Sequence, residues 1–248
     1  MFKHNLTVYV GYDASNYTQK LAHDVCIRSI RKYNKQVKIV SLVKSELESK
    51  GLFYREHDPK ASTEFTYTRF LVPYLNNYDD IAVFCDSDFL YKYDISELLN
   101  YYDPTKAVMC VKHEQKSLTN IKFSGMPQND YPRKNWSSLM LFNCAHPSCK
   151  NLNLETVNNQ TPKYLHRMEW CSNDEIGEIP YQYNYLLGYY STDDAKAIHY
   201  TEGGPWHNEW YNYKLPSDCI NKKYGGEWLD YLTNDESKIL LYELNNNI

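Results

Sequence analysis

The run from Leu6 to Val43 constrains the fold of this chain more than any other. The segment "LTVYVGYD" is rich in β-formers and breaks at Gly11, as a strand running into a turn does. From Thr18 to Lys32, apolar Leu21, Ala22, Val25, Cys26 and Ile30 recur at helical spacing. Polar Lys20, His23, Asp24, Arg28 and Arg31 occupy much of the remaining surface. "QVKIVSLV" then returns to strand character. Strand, helix, strand over so short a stretch is a βαβ unit, so a parallel sheet flanked by helices is expected.

The pattern continues downstream. "STEFTYTRFLVPYL" predicts a helix opened by Ser62 or Thr63, with Tyr67, Phe70, Leu71, Tyr74 and Leu75 on one side and Pro73 bending or ending it. "IAVFC" is a strand, "ISELL" a short helix, and "AVMCVK" and "WSSLMLFN" (136–143) two further strands. A last helix is expected around Glu236 to Leu244. A chain of 248 residues, 42% of them hydrophobic, can fill one large α/β core. With no internal repeat or linker in view, a single domain over 1–248 is the expectation.

The "IAVFC" strand runs straight into Asp86-Ser87-Asp88 and then returns to Phe89 and Leu90. Asp is a poor strand former, and two close carboxylates repel. At the carboxyl end of a strand in an open α/β sheet, where ligands bind, such a pair suits a hard divalent cation, manganese or magnesium. A cation relieves the repulsion and holds a diphosphate, which leaves when a bond to it breaks. Two solvated loop carboxylates are the plain alternative. His199, in "AIHYTEGGPW", also ends a strand-like run, and imidazole suits manganese as a third ligand. A packed histidine is the alternative there. The glycines of Thr201-Glu202-Gly203-Gly204-Pro205-Trp206 allow close backbone approach to a ligand, or simply a tight turn.

Composition narrows the function classes. A net charge of −4 gives no support for a nucleic-acid binder. No run approaches the roughly 18 apolar residues of a membrane span, and the N-terminus lacks the apolar core of a signal peptide. Seven cysteines leave at least one unpaired, and Cys26, Cys85, Cys110, Cys144 and Cys171 lie in apolar runs. They read as reduced thiols of a cytoplasmic protein. Cys144, His146 and Cys149 fall short of the four ligands of a structural zinc. The 25 tyrosines suit carbohydrate contact, and mutational bias in an AT-rich genome produces the same excess.

In order, "VYVGYD", "STEFTYTRF", "VFCDSDFL", "LMLFN" and "HYTEGGPW" resemble the motifs of a GT-A-fold glycosyltransferase, of the family-eight type and its bacterial and viral relatives. The resemblance covers about Leu6 to Trp210. It implies a nucleotide-binding half over 1–115 and a sugar- and acceptor-binding half over 116–248. It also implies a nucleoside-diphosphate sugar, with UDP as the expected nucleotide, lying across the strand ends.

On that resemblance, Gly11, Tyr12 and Asp13 match the first nucleotide-binding turn. Arg69 matches the helix position bridging the metal-binding Asp and the donor, as a guanidinium can. Tyr67 is a packing residue with a donor contact in prospect. Asp86 and Asp88 are the metal ligands, His199 completes the set, and Ser87 joins the donor contacts. Asn143 and Trp136 flank a strand expected to line the sugar pocket, with core packing the equal alternative for Trp136. Gly204 brings backbone N–H groups to the phosphates, in a loop where the family usually carries a Lys before Pro-Trp. Asp174 is the candidate for the position beside the anomeric carbon, although Glu175 stands where the family has Gln. Trp206, His207, Trp210, Tyr211 and Tyr213 form either an acceptor platform or packing for the C-terminal segment. The implied reaction moves a hexose-type sugar to a hydroxyl of a glycan, protein or small molecule, with retention of configuration. Retention proceeds by same-face attack or through a carboxylate nucleophile. A nucleotidyltransferase and an inactive nucleotide-sugar-binding protein are the two rivals. The former wants a Gly-rich basic loop, and "GYDASNYTQK" offers one Gly and one late Lys.

Overall fold

The computed structural model describes residues 6–13, 17–59, 61, 63–118, 120–122, 125, 130–212 and 218–246. The βαβ unit is present: β1 (Leu6–Tyr12), α1 (Tyr17–Tyr33) and β2 (Lys38–Val43), with β1 and β2 parallel. Buried Leu21, Ala22, Val25, Cys26 and Ile30 form the inner face of α1. His23, expected on the polar side, is buried too. Its Nε2 meets Ser41 Oγ at 2.9 Å and its ring packs edge-on against Tyr12.

After α2 (Lys44–Ser49) comes the segment expected to be one helix. It is instead a turn, a 3-10 stretch (Thr68–Leu71) and one turn of helix, α3 (Val72–Leu75). Pro73 lies in the first turn of α3, where its missing N–H leaves no hydrogen bond broken. The proposed opener Ser62 lies outside the described residues.

The central sheet also contains β3 (Ile81–Cys85), β5 (Val108–Cys110), β6 (Leu139–Asn143) and β7 (Ile176–Glu178), in the order β2-β1-β3-β6-β5-β7. It is parallel except at β6, which runs against both β3 and β5. Alternation along β3 builds two cores. Ile81, Val83 and Cys85 join Val8, Val10, Cys26 and Ile30 on one face. Ala82 and Phe84 join Tyr9, Phe70, Leu71 and Trp170 on the other. Each fully buried aromatic there contributes about 2–3 kcal/mol of apolar burial.

A smaller sheet, order β4-β9-β8, is made of β4 (Phe89–Tyr91), β8 (Tyr185–Leu186) and β9 (Ala197–His199). Leu90, Tyr185, Ile198, Tyr200, Trp206, Tyr224, Trp228 and Leu240 form its core, drawing in α7 (Asp218–Leu229) and α8 (Asn234–Asn246). Arg28 of α1 fastens α8 through a bidentate pair with Glu236 at 2.6 and 2.7 Å. Short helices α4 (Leu154–Asn159), α5 (Pro162–His166) and α6 (Asn208–Asn212) fill the remaining edges. No described helix is long and apolar enough to cross a membrane. None of the seven cysteines is disulfide-bonded.

Candidate active site

Asp86, Ser87 and Asp88 are the three residues between β3 of the large sheet and β4 of the small one. Backbone hydrogen bonds hold the turn from both sides. Asp86 N–H donates to Ser138 O (2.9 Å), and Tyr200 N–H donates to Asp88 O (3.0 Å). The pairing of β4 with β9 sets Phe89 opposite His199, and their rings stack at 4.5 Å. Ligand atoms of Asp86, Asp88 and His199 all lie within 4.8 Å of one another.

The hydrogen-bond chain behind His199 fixes its tautomer. Ser138 Oγ donates its one proton to Asn135 O at 2.6 Å. It therefore accepts from Asn184 Nδ2, 2.9 Å away, which turns Asn184 Oδ1 toward His199 Nδ1 at 2.9 Å. His199 Nδ1 thus carries a proton, and in the neutral ring Nε2 presents a lone pair to Asp88 Oδ1, 3.4 Å away. Two acceptors that close repel unless a proton or a cation lies between them.

The carboxylates bear the same stamp. Asp86 Oδ1 and Asp88 Oδ1 are buried with no hydrogen-bond partner among the described residues. Arg69 Nη1 stands 2.8 Å from Asp86 Oδ1 as an ion pair out of hydrogen-bond alignment. Burial pushes the Asp86 carboxyl up to about 6 against the pull of Arg69, and neighbouring Asp88 pushes the same way. For Asp88 burial also favours the neutral acid, but when His199 is protonated its charge and Nε2–H outweigh burial and hold the carboxyl below its ordinary value. Two carboxylate oxygens and an imidazole lone pair are a donor set suited to manganese or magnesium. The residues fit the cation that the sequence implied.

Arg69 is 6% exposed and locked from three directions. Nε donates to Phe65 O (3.2 Å) and Nη1 to Ser137 O (2.9 Å), and the guanidinium lies 5.0 Å from the Phe84 ring centre. Gly11, Tyr12 and Asp13 reach the same edge, since Val10 pairs with Cys85. A Cβ on Gly11 would come within 2.5 Å of the Phe65 ring, so glycine lets that ring close over β1. Asp13 is buried and accepts from Glu64 N–H at 3.2 Å; Tyr12 is half-buried. Ser87 is 1% exposed.

Other expected residues are placed elsewhere. Asn143 pairs with Ile81, at the far end of the sheet from Asp86, because β6 runs antiparallel to β3. Its amide donates to Pro104 O and Lys106 O, so it closes a turn and does not line a sugar pocket. Asp174 precedes β7, which runs parallel to β5, and so also falls at that far edge. It is exposed, with its carbonyl oxygen accepting from Lys106 Nζ. Tyr67 is taken up by Asp58, which accepts from its hydroxyl, and by Arg55, 3.9 Å over its ring. Trp206 is 2% exposed and packs against Tyr200 and Trp228, and Trp210 lies against Tyr200. A Cβ on Gly204 would meet the Trp206 ring at 2.3 Å, so that glycine is accounted for by the indole. Half-buried His207 lies 6.0 Å from Trp206, exposed Tyr211 donates to Pro205 O, and Tyr213 lies outside the described residues.

Sequence reasoning missed Ser138 and Asn184. Their signal was faint: polar residues beside strand-like runs, in "WSSLMLF" and "YQYNYLLG". It also missed Lys122, whose charge acts on both Asp86 and Asp88. Glu202 is 2% exposed and accepts from Tyr189 OH at 2.6 Å.

No family model matches the chain. Protein CDI of Arabidopsis thaliana is 42% identical over 222 residues, spanning 87% of this chain and 85% of that protein. The glycosyltransferase GlyE of Streptococcus pneumoniae TIGR4 superposes with a TM-score of 0.56 at 14% identity, covering 98% of this chain and 64% of its own. This chain therefore corresponds to under two thirds of GlyE. The galactosyltransferase LgtC, solved with donor and acceptor sugar analogs, gives 0.50 at 13% identity over 92% of this chain and 96% of its own. The architecture is that of the GT-A-type glycosyltransferases.

Proposed function

Because this chain belongs to the family of Protein CDI and carries the GT-A fold, we propose that it is a metal-dependent glycosyltransferase. It moves a hexose-type sugar from a nucleotide sugar, UDP-linked by our reading, to an acceptor hydroxyl with retention of configuration. The observation that carries this reading is the convergence at the ligand-binding edge of two carboxylates, each with a buried oxygen that makes no hydrogen bond among the described residues, and a histidine whose neutral-ring lone pair is turned toward them.

Asp86, Asp88 and His199 would hold manganese or magnesium, which when bound neutralises charge growing on the departing diphosphate. Arg69 keeps the Asp86 carboxylate oriented and adds positive charge beside it. Gly11 to Asp13 receive the nucleoside, in the half we assign to residues 1–115. Residues 116–248 supply the sugar and acceptor contacts. With Asp174 at the opposite sheet edge, same-face attack fits this chain better than a carboxylate nucleophile there. In that route the departing phosphate oxygen takes the acceptor proton. We place the protein in the cytoplasm, where its seven unbridged cysteines stay reduced.

The test is calorimetric titration of UDP with and without manganese, followed by UDP release from a panel of UDP-sugars. Manganese-dependent UDP binding that Asp88→Asn abolishes in a folded protein is the expected result. UDP binding indifferent to manganese and to Asp88 would overturn the reading.

A further inference from the structure

A cavity of about 320 Å³ lies beyond the acid pair, lined by His113, Gln115, Asp130, Tyr131, Arg133 and Lys134 among others. Its position follows from strand register. Cys85 of β3 pairs with Leu139, and the next residue of β6, Met140, pairs with Cys110 of β5. The chain leaving β5 thus emerges at the same edge as Asp86, two strands along, and reaches His113 three residues later. At about 4.8 Å per strand, that places the cavity roughly 10 Å from β3, on the side away from β1. Tyr131, on the cavity wall, is near enough to Arg69 and Asp86 for both to act on its hydroxyl.

His113 is the unusual member of this wall. It is 7% exposed, and its Nε2 has no hydrogen-bond partner among the described residues. Asn184 and Gln115 lie close enough to its ring to favour the charged form, but burial outweighs them. Its Nδ1 stands 3.5 Å from Tyr190 OH, and its carbonyl accepts from Trp136 Nε1 at 2.9 Å. Burial holds the ring neutral, down to about 3. A buried nitrogen without a partner destabilises the free protein, and a ligand hydroxyl removes that penalty.

Resting on the donor reading above, we propose that this cavity seats the transferred sugar and that His113 Nε2 bonds one of its hydroxyls, making His113 a specificity-determining residue. The order along the sheet edge agrees: nucleoside at β1, diphosphate at β3, sugar beyond it toward β5. Gln115, Asp130 and Lys134 add polar groups to the wall, as a polyhydroxylated ring requires.

The experiment compares UDP with UDP-sugars on the full chain in manganese. The probes are UDP-glucose, UDP-galactose, UDP-N-acetylglucosamine and UDP-xylose, and the tightest is carried forward. His113→Phe is expected to weaken that UDP-sugar about 10–100-fold while leaving UDP within about 2-fold, and His113→Gln to restore most of the loss. Independently of any variant, the wild-type protein should bind at least one monodeoxy analogue of that UDP-sugar about 10-fold or more weakly. Equal loss of UDP and UDP-sugar, no loss of either, or indifference to every deoxy analogue overturns the assignment. Failure of the wild-type protein to bind UDP at all sinks the donor reading itself, and this assignment with it.

Discussion

Replacing Asn184 by Ala tests the reasoning about the His199 tautomer most directly. Asn184 is fully buried, and its amide oxygen is the hydrogen-bond partner of His199 Nδ1, which sits on a side chain 2% exposed. Stranding that N–H costs about 1–3 kcal/mol. Ser138 Oγ loses its donor but keeps its own bond to Asn135 O, adding about 0.5–1.5 kcal/mol. The sum, about 1.5–4.5 kcal/mol, should lower Tm by roughly 3–18 °C in a chain of this size. The metal is the sharper readout. Freed from Asn184, the imidazole can rotate or change tautomer, and loss of such an outer partner weakens metal about 10–100-fold, or about 1.4–2.7 kcal/mol. Calorimetric titration of manganese in saturating UDP measures this. Asn184→Asp, which keeps an acceptor for Nδ1–H, should retain affinity. A folded Asn184→Ala protein that binds manganese within about 2-fold of wild type would refute the tautomer argument.

Four further outcomes are expected. Asp174→Asn should leave manganese-dependent UDP binding and any transferase turnover within about 2-fold, since its exposed carboxylate stands at the far sheet edge; a loss of about 100-fold in turnover would return it to the site. Gly204→Ala should cost about 1–3 kcal/mol, read as a lower Tm, because the new methyl collides with the buried Trp206 ring. Arg69→Met removes the cation beside a buried carboxylate and should destabilise the protein by about 3 kcal/mol in the absence of manganese, with part of that loss recovered when manganese is added. Arg28 holds the Glu236 carboxyl down to about 2, with Thr233 assisting, so this pair stabilises the fold above the ordinary Glu range and loses that contribution as pH falls from about 5 to 2. Discounted for the partly exposed Arg28, it is worth about 1 kcal/mol, and Glu236→Gln should flatten this part of the stability–pH profile.

How much of this could be read from the residues depends on what sets each position. The βαβ opening was legible because periodicity and burial coincide along α1, and the acid pair because two carboxylates interrupt an apolar strand. Arg69 was legible only through motif resemblance, since a buried guanidinium and a solvated one look alike in sequence. Asn143 and Asp174 were misplaced for one reason. The direction of β6 and the position of β7 in the sheet are decided by long-range pairing, and a strand's sequence does not say which way it runs. The helix expected over 62–75 was broken because Arg69, bonded to Ser137 O, and Phe70, packed in the core, are fixed by tertiary contacts that override local propensity. Asn184 gave little signal, for its role is defined by partners at positions 138 and 199.

The turn that carries the acid pair is also the joint between two sheets, pinned to the larger by Ser138 and to the smaller by Tyr200. Carboxylate spacing is therefore a gauge of how those layers sit against one another. A packing change at Phe89 or Tyr91, touching no ligand atom, would reset the bite of the chelate and with it the preference between smaller and larger ions.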